Sequence, residues 1–327
     1  MTREAVLDAI RVADRITAIC HENPDADSLG SALALRFAAE RLGKRAEVVA
    51  ADGVPPFLAS LPGAGDVRRA PELEPDVAVI VDGPLSRTGG VVRDQAEWLS
   101  RALLLNIDHH VSNDGSGVAA AYVDAEAAAT CEMMALLLPD LGVEIDVSIA
   151  TVLAAGIVQD THTFSHPNAT PRTLRVMADL VAAGAPLSQL HKSIYADKPF
   201  STMALWGRML NGIGQRRDGR IVHAAQTLEM LHVTGSDPTA TEGFVDLLAS
   251  TKAGEITILF KETAASHVRA SVRTTERADA VVITGAFGGG GHARAAGCSL
   301  ELPLADATAR LLDECERELD RVDARGR

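Results

Sequence analysis

Apolar residues in the first half of the chain gather in short runs, Ile16–Cys20, Glu47–Ala51, Val77–Val81 and Leu103–Ile107. Runs of strand length with little polar interruption predict strands buried on both faces, as in a parallel sheet. Between the first two lies Ser28–Leu42, rich in Ala, Leu, Arg and Glu, which predicts a helix. Further helices are predicted over Ala125–Leu138, Val147–Val158 and Pro171–Ala183, the last with Thr170 as N-cap, Pro171 in the first turn and Gly184 at its end. Strands alternating with helices define an α/β domain, a parallel sheet with helices on both faces. From Pro186 to Gln215 the pattern is helical and connecting, and the polar, turn-rich Gly212–Gly219 marks a boundary. Beyond it Arg220–Gln226, Glu255–Phe260 and His267–Val272 read as strands, and Thr241–Ala249, Ala278–Thr284 and Leu304–Arg321 as helices. Loss of strict alternation there predicts a smaller mixed α/β domain. The expected organisation is a first domain over 1–190, a helical linker over 191–214 and a second domain over 215–327.

A chain of 327 residues is long enough for two cores. Its net charge of −13 argues against binding long duplex DNA, which calls for a broad basic surface. Small anionic substrates remain compatible, because local arginines and metal ions outweigh a distant negative field. Cys20, Cys131, Cys298 and Cys315 are widely spaced and read as free thiols, not as a zinc knuckle or a disulfide framework. Met1–Arg15 carries charges at intervals that fit an amphipathic helix and not a signal peptide. No apolar run reaches the roughly 18 residues of a membrane span, so a cytoplasmic protein with no membrane partner is expected.

Charged residues cluster where the strand-like runs end. After the first comes His21-Glu-Asn-Pro-Asp25-Ala-Asp27-Ser-Leu-Gly30-Ser31, and after the fourth Asp108-His109-His110. Ligands of open α/β sheets bind at the carboxyl edge, and carboxylates mixed with imidazoles suit Mn²⁺ or Mg²⁺ better than a thiolate-selected metal. Asp27 or Ser28 would equally serve as a helix cap. Asp82 ends the run Val77–Val81 and is placed to bridge two metals, or to make an Asp-Gly turn. Asp160, after the apolar Val147–Val158, is ligand-like or a cap; His162 and His166 beside it read as outer or surface residues. In the second half, Phe287-Gly-Gly-Gly-Gly-His292-Ala-Arg294 predicts a backbone nest for phosphate at Gly289, Gly290 and Gly291. No Lys-Ser/Thr follows, so it is no nucleotide P-loop. Arg273, alternating with apolar residues, could meet a phosphate bidentately, with Arg269 on the same strand face.

In this order the residues resemble the DHH phosphoesterase superfamily: His-x₃-Asp-x-Asp-Ser-x-Gly-Ser, a strand-terminal Asp, Asp-His-His, Gly-x₃-Asp-Thr-x-x-Phe, then Gly-Gly-Gly-His in a second domain. The glycine–histidine motif and Ser271-Val-Arg273 look like the DHH-associated domain of the nanoRNase/pAp-phosphatase branch, which includes hydrolases of linear and cyclic dinucleotides. The resemblance implies a dinuclear site, with His21 and Asp25 on one metal, Asp27, His109 and Asp160 on the other, and Asp82 bridging. It implies Mn²⁺ foremost, with Mg²⁺ or Co²⁺ as substitutes. Asp108 would orient His109, His110 would face the substrate phosphate, and Arg273, Gly289–Gly291 and His292 would grip the rest of the nucleotide. Short RNA or nucleotide substrates and a homodimer follow from the same resemblance. Two departures stand out, Gly83-Pro84 after Asp82 and His162 in a place usually held by a small residue. An inorganic pyrophosphatase or exopolyphosphatase shares the metal motifs but not the second domain. A non-catalytic nucleotide sensor would be free to lose ligands that are all present here.

Overall fold

A computed structural model describes residues 3–94, 96–241 and 243–325. The chain divides into two compact units, 1–196 and 197–327. The first contains α1 (Arg3–Val12), β1 (Arg15–Ile19), α2 (Ala26–Arg41), β2 (Arg45–Val49), β3 (Val77–Val81), α3 (Val91–Asp94), α4 (Ala96–Leu99), β4 (Leu103–Asp108), β5 (Ala120–Val123), α5 (Thr130–Leu137), α6 (Val147–Asp160), α7 (Pro171–Ala182) and α8 (Leu187–His191). Among the described residues its five strands form one parallel sheet in the order β2-β1-β3-β4-β5. β3 is buried along its whole length, as a central parallel strand covered on both faces must be. One face packs Ala18, Val79, Val81, Leu105 and Ile107 against α1, α2, α5 and α6; the other packs Ile19, Ala78 and Ile80 against Val91 and Leu99 of α3 and α4. Because β1 connects outward to β2 while β3 lies on its other side, strand order reverses at β1/β3, the place in an open α/β sheet where ligands bind at the carboxyl edge.

The second unit contains α9 (Phe200–Asn211), β6 (Gly214–Arg216), β7 (Ile221–Gln226), α10 (Leu228–Thr234), α11 (Phe244–Ala249), β8 (Ile256–Ala264), β9 (His267–Thr274), α12 (Ala280–Gly285), β10 (Gly290–His292), β11 (Ala295–Leu300) and α13 (Leu304–Arg325). Its sheet runs β10-β11-β9-β8-β7-β6 and is mixed: β7 and β8 are parallel and the other pairs antiparallel. One face buries Ile256, Ile258, Phe260 and Val272 against α12 and α13. The other buries Leu259 and Ala224 against Leu205 and Met209 of α9, Leu231 of α10 and Phe244 of α11.

Several expectations change. The stretch expected as a linker divides at 196/197, and α9 is part of the second core. The helix expected from Ala125 starts at Thr130, and β5 and α10 were not read from the sequence. Of the helix expected over Thr241–Ala249, Phe244–Ala249 is helical and Glu242 lies outside the described residues, as do Met1 and Thr2 of the amino-terminal helix. The glycine tract runs from a turn at Gly288 into an edge strand: Gly290, Gly291 and His292 pair with Gly297, Ala296 and Ala295, and the Gly289 N–H donates to the Thr284 carbonyl. A Cβ on Gly289 would sit 2.3 Å from the Gly297 oxygen, so close backbone approach accounts for this glycine where a phosphate nest was expected. Among the described residues, no helix is long and apolar enough to cross a membrane.

Candidate metal centre

The ends of β1, β3 and β4 converge with the amino end of α2 and the carboxyl end of α6. After β1, the His21 N–H donates to Ser28 Oγ (3.1 Å) and its Nδ1 to the Glu22 carbonyl (2.8 Å). That contact directs Nε2 inward, 3.3 Å from Asp82 Oδ2 and 3.6 Å from Asp25 Oδ2. Asp25 has two tasks: Oδ1 caps α2 by accepting from the Asp27 and Ser28 N–H groups, both 3.0 Å, and Oδ2 faces His21. The capping role weighed for Asp27 or Ser28 therefore belongs to Asp25. Asp27 is fully buried, with Oδ2 accepting from Thr130 N–H (2.6 Å) and Oδ1 from Cys131 N–H (2.7 Å). Those donors are the first turn of α5, the end of a helix that favours negative charge.

Asp82 leaves β3 with a left-handed φ of 60°, followed by Gly83 at 152°. A non-glycine residue there is strained and persists only when its surroundings hold it. Asn106 of β4 does so, donating through Nδ2 to the carbonyls of Gly83 (2.9 Å) and Ile80 (3.2 Å). The departure at Gly83 thus has a physical reason: this turn needs positive φ at two successive residues. Asp82 Oδ2 faces His21, while Oδ1 lies 3.5 Å from His109 Nε2. His109 contacts the Ala127 carbonyl through Nδ1 (3.2 Å), and its Nε2 lies 3.2 Å from Asp160 Oδ2 and 3.8 Å from Asp27 Oδ2.

One expected partnership is different. Asp108 holds His110 and not His109, meeting its Nδ1 at 2.7 Å and its N–H at 3.1 Å through Oδ1. Asn113 donates to the other oxygen at 2.5 Å and to Asn106 at 2.7 Å. β4 ends at Asp108, so both histidines leave the strand, and carbonyl support for His109 comes from Ala127 instead.

Burial pushes the carboxyls of Asp27 and Asp160 up, reinforced by Asp82; Asp160 reaches about 6 and Asp27 rises well above its usual value. Burial acts the same way on Asp82 but is outweighed by His21, His110 and His109, which hold it well below the usual range. The His21 imidazole, lowered by burial alone, is raised to about 10 by Asp25 and Asp82. His109 rises likewise through Asp160, Asp27 and Asp82. The cluster thus strongly favours positive charge. His21, Asp25 and Asp82 offer ligand atoms within 4.8 Å of one another, and so do Asp27, Asp82 and His109. Asp82 is common to both groups, Asp160 adjoins the second, and both imidazoles have Nδ1 on a carbonyl with Nε2 inward, the arrangement of ligating histidines. The donor set, oxygen-rich with imidazole and no thiolate, fits Mn²⁺ or Mg²⁺.

In the second unit, Arg273 on β9 donates through Nε to Asp246 of α11 (2.9 Å), and His292 is half-buried on β10. His162, with φ 46°, begins three successive left-handed residues with Thr163 and Phe164, and its ring stacks on His166 with centroids 5.3 Å apart. Sequence reasoning missed Thr130, Asn106, Asn113 and Gln159, whose Oε1 accepts from the Ala26 N–H (2.6 Å). The partners of Thr130, Asn106 and Gln159 are distant in sequence, and no spacing rule marks them; Asn113 meets Asp108 and Asn106 only five and seven residues away.

The parallel sheet, the paired carboxylate–imidazole groups at its edge and the separate mixed-sheet unit define a protein of the metal-dependent phosphoesterase type. Residues 15–157 match the DHH family, N-terminal domain, and residues 225–320 match the DHHA1 domain. The chain is 33% identical to the bifunctional oligoribonuclease and PAP phosphatase NrnA of Thermus thermophilus, over 92% of this chain and 89% of that protein. It is 26% identical to the protein of that name from Bacillus subtilis, over 90% and 92%. An exopolyphosphatase-related protein from Bacteroides fragilis has the same fold, with a TM-score of 0.86, 21% identity and coverage of 98% and 97%. The chain belongs to the DHH phosphoesterase family, in the branch that joins a DHH to a DHHA1 domain and contains the oligoribonuclease/PAP phosphatases.

Proposed function

We propose that this protein hydrolyses short nucleotides to 5′-mononucleotides at a centre of two divalent ions, Mn²⁺ foremost. The substrates on this reading are 3′-phosphoadenosine 5′-phosphate (pAp), oligoribonucleotides of a few residues, and linear or cyclic dinucleotides. The observation that carries it is Asp82, whose two oxygens address the His21 and His109 groups separately. His21 and Asp25 would hold one ion, Asp27, His109 and Asp160 the other, with Asp82 between them. When bound, two such ions supply a nucleophile at neutral pH and neutralise charge at phosphorus.

The chain's own groups do the rest. Asp108 accepts from His110 Nδ1 and fixes the ring, so Nε2, when the imidazole is protonated, is the donor presented to a non-attacked phosphoryl oxygen, where preorganisation is most effective. Asn113 and Asn106 hold Asp108 in turn. Arg273, oriented by Asp246, and His292 are the proposed nucleotide contacts of the second unit. The named activities of the two relatives, oligoribonuclease and PAP phosphatase, support oligoribonucleotides and pAp among these substrates.

The test is hydrolysis of pAp, linear diadenylate, cyclic diadenylate and pyrophosphate side by side, with Mn²⁺ and then with excess chelator. Chelator-sensitive AMP from the nucleotides with pyrophosphate intact is the expected result. Cleavage of pyrophosphate alone, or tight binding without turnover, would overturn it.

A further inference from the structure

Thr130 lies outside the charged clusters at the strand ends, yet it touches two of the proposed ligands. Its backbone N–H donates to Asp27 Oδ2 (2.6 Å) and its hydroxyl to Asp82 Oδ1 (3.1 Å). It is fully buried at the first turn of α5, in the Ala-rich stretch Ala127–Ala129 before Cys131, where nothing in the sequence sets it apart. A threonine in that position needs no capping role, since Ala129 is the N-cap.

We propose that Thr130 is a positioning residue that sets the plane of the Asp82 carboxylate, and with it the pairing of two ions at this centre; the inference rests on the dinuclear reading above. Asp82 sits in a left-handed conformation just past the end of β3, buried. Three contacts act on it. His21 Nε2 faces Oδ2 at 3.3 Å, His109 Nε2 faces Oδ1 at 3.5 Å, and the Thr130 hydroxyl donates to Oδ1. His110 Nδ1 is farther, at 3.7 Å, and is engaged by Asp108 at 2.7 Å. Once both imidazoles turn their Nε2 lone pairs to metal, they stop donating to Asp82. The hydroxyl is then a protein donor that still holds the carboxylate. It also makes the two oxygens unlike: Oδ1 accepts from the hydroxyl, while Oδ2 faces His21. The ion on the His109 side is therefore the one whose affinity depends on Thr130. Because the same residue's N–H seats Asp27, a rigid helix turn references both carboxylates of that side to one another.

The experiment is Mn²⁺ titration of the full chain and its T130V and T130S variants, followed by electron paramagnetic resonance. Valine keeps the shape and the N–H to Asp27 and removes only the hydroxyl; circular dichroism checks that the fold is kept. Wild type is expected to take two ions and to show the signal of an exchange-coupled pair. T130V should bind its first ion as wild type does and its second about 10–100-fold more weakly, the usual effect of removing a partner behind a metal ligand. The coupled signal should give way to that of isolated Mn²⁺, and T130S should restore both. Equal weakening of both ions, or a coupled pair of wild-type affinity in T130V, would overturn the role of Thr130 while leaving the dinuclear reading intact. A wild-type protein that binds a single ion or shows no coupling would overturn the dinuclear reading and this inference with it.

Discussion

Gly156→Ala should damage this protein, although the same change in an ordinary helix strengthens it. Alanine gains about 1 kcal/mol over glycine in a helix interior. Here α6 crosses α2 at Gly156, and an added Cβ would lie 2.4 Å from Cys131 Sγ, 2.7 Å from Asp27 Oδ1 and 2.9 Å from Asp27 Cα. Cysteine has no flexible arm to withdraw, and the Cα belongs to backbone. Overpacking of a dense core costs about 1–3 kcal/mol and is met by backbone shifts. The net effect is a destabilisation of up to about 2 kcal/mol, which lowers the melting temperature by up to roughly 8 °C in a unit of this size. Because the displaced residue is a proposed ligand, metal affinity should fall as well. Calorimetry of the metal-free protein measures the first effect and Mn²⁺ titration the second. Adding Cys131→Ala removes the contact with sulfur but not those with Asp27. The double variant should therefore recover much of the stability and little of the affinity, a coupling expected of residues in contact. A single variant that melts at or above the wild-type temperature and binds Mn²⁺ normally would refute the packing argument.

Asp146→Ala removes the N-cap of α6, whose Oδ1 accepts from the Ser148 and Ile149 N–H groups at 2.9 and 3.1 Å, and should cost about 1 kcal/mol. Its carboxyl is held below the usual value because the Arg41 hydrogen bond and those backbone donors outweigh burial. The contribution is thus complete above the unfolded value of 3.8 and fades as pH falls through the lower folded one, so chemical denaturation of the two proteins should converge in acid. Asp108→Asn should lower kcat with two Mn²⁺ ions still bound, since Asp108 holds His110 and no proposed ligand; loss of an ion on titration would contradict this. Phe244→Ala, buried beside Trp206 at 5.3 Å between ring centroids, should cost about 3–5 kcal/mol. Trp206 fluorescence should report that loss, and a melting curve unchanged at this wavelength would argue against the second core as described.

What could be read from sequence follows from which forces are local. β1, β3 and β4 were legible because a strand covered on both faces must be apolar throughout, and Val77–Val81 matches the observed strand residue for residue. The ends of those strands were legible because charge following such a run is costly unless used. β5 was not, being only Ala120–Val123. β10 was hidden because glycine disfavours strands, and its pairing with Ala295–Gly297 is imposed by the neighbouring strand and not by its own residues. The ligand types were visible, but their supports were not. Thr130 meets a carboxylate 48 residues away, and Gln159 meets a backbone group 133 residues away. Even within Asp108-His109-His110 the local order misled, because β4 ends at Asp108 and the backbone beyond it returns His110 to that carboxylate.

The left-handed Asp82 has a consequence for when the work of building the site is done. A conformation of this kind costs on the order of 1–3 kcal/mol, and Asn106 compels it through hydrogen bonds that form as β3 and β4 pair. The unfavourable term is therefore settled during folding. An arriving ligand meets a carboxylate already aimed, and none of its binding free energy is diverted to bending the chain. Relaxing that turn, by changing Asn106, would move the same cost from the folding reaction to the binding reaction.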